Sequence, residues 1–269
     1  MVIYAQNNSY HGKDTLRFMA MHGKAKNIFM SAFKFLFWSD ILSRLMYPWL
    51  RGARNWLLRS KNNGSIDNLN LKGEPTFKSI FGKDWENLPP IIKKHYGNHP
   101  YSTEVTTVDG ELDVFCKPPL LWLSPLMRLF GQIPTFNENN VPVTVHFESN
   151  LNSNAFHLNR SFKFSDRKFY IFYSRMLQIE GNEVIEIMRF GLGWRAEYSW
   201  DGEKVILAHK GYALQVFGHF IPLPLTMLVG AGNAAEYPVD DNTFDMEVSI
   251  THPWWGEMYG YKGRFEVSN

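Results

Sequence analysis

Between Val141 and Val267 apolar and polar side chains take turns, break, and take turns again. Val141, Val143, Val145 and Phe147 share one parity, with Thr144, His146 and Glu148 on the other. Phe156, Leu158, Phe162 and Phe164 alternate in the same way with His157, Asn159, Ser161 and Lys163. Phe244, Met246, Val248 and Ile250 do so with Asp245, Glu247 and Ser249. A side-chain period of two sends successive residues to opposite faces of an extended chain, so each run reads as a half-buried strand. Further runs cover 168–179, 184–190, 192–200, 204–209, 212–217 and 258–267, and Leu192, Trp194, Ala196, Tyr198 and Trp200 share a face. Trp200-Asp201-Gly202-Glu203 is a tight hairpin signal, because Asp-Gly supplies positive φ. Short strands without intervening helices predict a sandwich, a barrel or a strongly curved sheet.

The 269 residues hold ample apolar content for a core, and 16% are aromatic, a load that suits wide β faces. One cysteine, Cys116, excludes an intrachain disulfide and any paired-cysteine redox or zinc site. The start of the chain lacks the basic, apolar, small-residue order of a secretory signal, which favours a cytoplasmic location. Charge is distributed unevenly. Residues 1–63 carry ten basic side chains against Asp14 and Asp40, a balance of +8 that leaves −6 for the remainder of a chain whose total is +2. A basic, apolar segment on an acidic β domain predicts contact with an anionic surface, with residues 28–58 touching a membrane from the cytoplasmic side. No nucleic-acid partner is expected, because no binding motif accompanies the charge.

Residues 14–59 have helical patterning, in two or three segments. Ile28 to Leu50 is long enough to span a bilayer, but Lys34, Asp40, Arg44 and Pro48 lie inside it. A helix on the membrane surface or packed on the protein is the expectation. Tyr47-Pro48-Trp49-Leu50-Arg51-Gly52-Ala53-Arg54-Asn55-Trp56 resembles the closing helix of the DCC-type thiol-disulfide oxidoreductases, with Tyr47 and Ala53-Arg54-Asn55 carrying the match. That resemblance implies a thioredoxin-like remnant over residues 1–60 without the catalytic cysteines. Residues 61–76, with Asn62-Asn63-Gly64-Ser65, read as a linker.

Phe77 to Pro90, the Val141-Pro142-Val143-Thr144-Val145 run, Ile221-Pro222-Leu223-Pro224 and the Tyr259–Phe265 end together resemble the bacterial family of domain of unknown function 4166, over roughly residues 77–267. The resemblance implies an accessory domain and no particular reaction. The expected architecture is α+β: a helical N-terminal segment over 1–60, then an antiparallel, strongly curved, barrel-like sheet over 77–269. Its first hairpin would pair Glu104–Val108 with Glu111–Phe115 across Asp109-Gly110. Two apolar connections interrupt the sheet, 118–133 and 220–229. They read as lids over a cavity, as pieces that dip into lipid, or as plugs of ordinary core.

Candidate chemistry is sparse. Gly230-Ala231-Gly232-Asn233-Ala234-Ala235 imitates a dinucleotide fingerprint, but that mechanism needs a helix N-terminus after it, and strand patterning follows instead. No cofactor is expected. His95 and His99 are spaced as helical metal ligands, yet Gly97, Asn98 and Pro100 favour a surface loop, and no metal is expected. Arg189 and Arg195 flank Gly191-Leu192-Gly193 and could hold an acidic head group, or else pair with sheet carboxylates such as Glu186 or Glu197. The leading function is non-catalytic binding of an apolar or amphipathic small molecule, or of a lipid surface, in the concavity of the sheet. Its ligand-binding candidates are Arg189, Trp194, Arg195, Tyr198, Tyr212, Trp122, Phe130 and Leu223. Two other readings remain: an enzyme with a polar site around His146, Glu148 and Arg195, and a docking module for a redox partner through residues 28–58.

Overall fold

The computed structural model describes residues 73–129, 131–165 and 169–268. All belong to the unit Leu57–Asn269. The proposed N-terminal helices, the linker up to residue 72, the DCC-like run, the membrane and redox docking segment 28–58 and Phe130 lie outside the described residues.

Eleven strands form one sheet in which every pairing is antiparallel. They are β1 (Val105–Cys116), β2 (Glu138–Asn150), β3 (Ser153–Phe162), β4 (Tyr170–Glu180), β5 (Glu183–Ile187), β6 (Leu192–Trp200), β7 (Val205–Val216), β8 (His219–Leu223), β9 (Ala231–Pro238), β10 (Thr243–His252) and β11 (Gly256–Ser268). Strand β6 pairs with β7 and β1 with β11, which closes ten strands into a barrel: β1 through β7, then β9, β10 and β11. Strand β8 stands outside that ring, paired to the upper half of β7, whose lower half (Val205 to Leu207) pairs with β9. The described residues are mainly β, so the α+β class is corrected there; their helical turns are α1 (Lys78–Phe81), α2 (Pro90–Tyr96), α3 (Ser124–Leu129), α4 (Thr226–Val229) and three short 3-10 segments. Among them no helix is long and apolar enough to cross a membrane.

Two expected strand breaks are absent. Strand β1 runs straight through Asp109-Gly110, with no hairpin there. Glycine at 110 answers a different need: a Cβ would sit 2.2 Å from the Arg264 carbonyl oxygen and 2.7 Å from the Phe265 ring. Strand β7 likewise spans the 210–211 break, where Gly211 at φ +126° accompanies a bulge opposite Arg195 and Ala196. The Asp201-Gly202 hairpin forms as expected, with Gly202 at φ +102° and the Asp201 carboxylate accepting from the amides of Glu203 and Lys204.

One end of the barrel is plugged by α1 and α2. Phe77 and Tyr96 pack on Phe156 and Tyr198, and the His95 ring stacks between Phe147 and Phe244. Pro90 opens α2 at its first turn, where no amide donor is needed. The two apolar connections come together at the opposite end. The segment after β1 is anchored by Lys117 N–H to the Met258 carbonyl (2.7 Å) and by the Tyr170 hydroxyl to the Gln132 carbonyl (2.5 Å). Helix α4 is held by His252 to the Met227 carbonyl (3.0 Å) and by the Tyr212 hydroxyl to that of Gly230 (3.0 Å).

Candidate functional site

A barrel of about eight strands is just filled by its own side chains, and each added strand widens it. Here ten strands enclose a cavity of about 420 Å³, within the range of small-molecule sites. The inward parity of each strand supplies its wall. Val143, Val145 and Phe147 of β2, Leu158 and Phe162 of β3 and alternate residues of β10 (Phe244, Met246, Val248 and Ile250) face it. Leu123, Leu126, Met127 and Ile133 from one apolar connection, and Leu223, Leu225, Leu228 and Val229 from the other, line its upper end. Leu126 (53% exposed) and Met227 (44%) leave that rim partly open to solvent.

Three charged side chains sit on the inward parity among these apolar ones. Arg160 of β3 donates to Ser174 Oγ (2.9 Å) and to Glu186 Oε1 (2.9 Å), and Ser174 donates to the same carboxylate oxygen (2.6 Å). All three are buried, and the guanidinium also lies over the Phe172 ring. Burial opposes the Arg160 charge, but Glu186 and the neighbouring phenols outweigh it and hold the group above its ordinary pKa. Glu236 of β9 accepts from the Tyr96 hydroxyl (2.9 Å) and meets His95 Nε2 (3.1 Å). Tyr198 and Tyr261 face the same space. Burial, with Glu186 and Glu236 nearby, pushes Tyr198 well above its ordinary value, and burial pushes Tyr261 to about 12 against the pull of Arg160. Both therefore remain neutral hydroxyls.

Of the residues singled out from sequence, Trp194, Tyr198, Tyr212 and Leu223 line the cavity. Trp194 is fixed there by its indole N–H, which donates to His209 Nδ1 (3.1 Å). Trp122 is half-buried in the 3-10 turn Leu120–Leu123 and is not part of the wall. Arg189 is exposed beside Gly131, and Arg195 bonds Glu183 on the outer face (Nε to Oε1, 2.6 Å). The expected carboxylate partners are thus corrected: Glu186 belongs to Arg160 and Glu197 to Lys210. The polar site of the enzyme reading does not assemble. His146 meets Thr107 on the outer parity of β2, beside Glu148, while Arg195 is on the outer parity of β6, with β3, β4 and β5 between them. His95 is a core residue at 0% exposure rather than part of a surface loop, and His99 pairs with Glu104 at the surface. Among the described residues no three His, Cys, Asp or Glu side chains gather as a metal site. The dinucleotide-like run is strand β9, with no helix N-terminus after it. Cys116 is buried, which raises its thiol to about 11 and keeps it a thiol.

Sequence reasoning missed Arg160, Glu186 and Glu236 as a group. The signal was parity: each falls on the apolar face of its own strand, where a charge is costly unless paired.

A closed, ten-stranded antiparallel β-barrel with a mostly apolar interior cavity and a partly open apolar rim is the class these features define. The chain belongs to the family described as domain of unknown function (DUF4166), which it matches over residues 88–265. It is also similar to a solved structure, Rv2717c from M. tuberculosis, at 12% identity, over 70% of this chain and 99% of that one, with a TM-score of 0.36. At that score nothing is transferred from it. No curated protein matches the chain.

Proposed function

We propose that this domain is a non-catalytic carrier or sensor that holds one apolar or amphipathic small molecule inside the barrel. The observation that carries the reading is the cavity itself. Its 420 Å³ is space for about 14 waters at liquid density, yet most of its wall offers them no hydrogen bond. An apolar guest gains by replacing water there, and the leucine-rich rim gives it an apolar way in. Native mass spectrometry of the protein after exposure to a total lipid extract tests this. The expected spectrum shows a single adduct of one small molecule per chain, which dissociates on unfolding. A spectrum of bare protein at all extract concentrations would contradict it.

A further inference from the structure

The polar groups of the cavity specify what kind of head group such a guest carries. One guanidinium, Arg160, faces two carboxylates, Glu186 and Glu236. Arg160 is already engaged by Glu186 and Ser174, and Glu236 by Tyr96 and by His95 from the plugged end. The bonding capacity left over is of a different kind. Both hydrogen bonds to Glu186 end on Oε1, so Oε2 can still accept. The Tyr198 hydroxyl has only the Met176 thioether at 3.5 Å, a weak acceptor. The Tyr261 hydroxyl has no hydrogen-bond partner among the described residues, although the side chain is 6% exposed.

A hydroxyl head group matches this set, since it donates to a carboxylate oxygen while accepting from a phenol. A carboxylate head does not. It can only accept, and it would add a third negative charge where one cation is already taken, in surroundings that screen charge poorly. Resting on the cavity-binding reading above, we propose that the barrel selects an uncharged amphiphile with an alcohol head. Its hydroxyl sits among Glu186, Tyr198 and Tyr261, and its tail points toward the rim formed by Leu126, Met127 and Leu228. Fatty-acid anions are the guests it discriminates against.

The test is competition against the neutral fluorescent probe N-phenyl-1-naphthylamine. Three competitors are used: 1-decanol, its isomer 1-methoxynonane, whose ether oxygen accepts but cannot donate, and decanoate. Working at pH 8 keeps an ordinary histidine neutral. A merely greasy cavity prefers the ether, which is less well hydrated than the alcohol. The expected result is half-displacement by 1-decanol at a concentration at least tenfold below that for either other compound. Tyr261→Phe should shrink the gap between alcohol and ether severalfold. Equal or tighter binding of the ether or of decanoate by the wild-type protein overturns the head-group assignment and leaves the cavity reading standing. Failure of the probe itself to bind overturns both.

Discussion

Arg160, Ser174 and Glu186 show at the scale of single residues how a polar group survives inside an apolar barrel. Each is hydrogen-bonded to the other two, and the arrangement tolerates loss of the whole better than loss of a part. Arg160→Met leaves the Glu186 carboxylate buried without its cation and is expected to cost about 3–5 kcal/mol, whereas Arg160→Met combined with Glu186→Leu should recover most of that loss. Urea denaturation of the single and double variants reads the difference, and equal destabilisation by both would contradict the pairing. Gly110, opposite Phe265, and Gly263, opposite Leu112, sit where β1 and β11 approach closely, and each is glycine for a steric reason. A Cβ at 263 would lie 1.9 Å from the Glu111 carbonyl oxygen, so Gly263→Ala should cost about 1–3 kcal/mol of stability through overpacking, read as a lower urea midpoint. A variant as stable as wild type would show that the two strands part more readily than their register implies.

The strands are the elements that were most legible. Alternation of Val141 to Phe147 or of Phe244 to Ile250 assigned the inward face correctly, because one buried face per strand is what barrel walls require. Glycine was the misleading letter. Asp109-Gly110 read as a turn and positions 210–211 as a gap between two strands, but their glycines serve a close approach and a bulge inside continuous strands. The histidines were opaque for another reason: what buries His95 against Glu236 is 141 residues away in sequence. His209 links strand β7 to α4, accepting from Trp194 at Nδ1 and meeting Thr226 Oγ1 at Nε2 (2.8 Å). Burial, and then the charge of Arg195, lower its pKa from 6.5 to about 4. The folded state therefore binds this proton less readily than the unfolded chain does. The associated stability is intact above pH 6.5 and is lost as pH falls from 6.5 through 4. In His209→Gln that part of the acid dependence should disappear, as read by urea midpoints at pH 7 and pH 4.5. An unchanged slope between the two pH values would contradict this role.

At the scale of the whole molecule, ten strands, a plugged end and a rimmed end produce an interior larger than its own side chains fill. Curvature, the two apolar connections and the hairpin that joins β6 to β7 were visible in the sequence, but closure was not, since it depends on β1 finding β11, where Asp109 and Ser268 meet across 159 positions. The volume is likewise a property of strand number rather than of any one residue. Ala234, on the inward face of β9 and 6% exposed, offers a way to remove that volume without touching the polar cluster. The direct measurement is a fluorescence titration of N-phenyl-1-naphthylamine against wild type and Ala234→Phe, with circular dichroism confirming that both are folded. Saturable one-to-one binding by wild type that is lost in the filled variant is the predicted result. Equal binding by the two proteins would mean that the probe sits elsewhere and that the interior takes no guest.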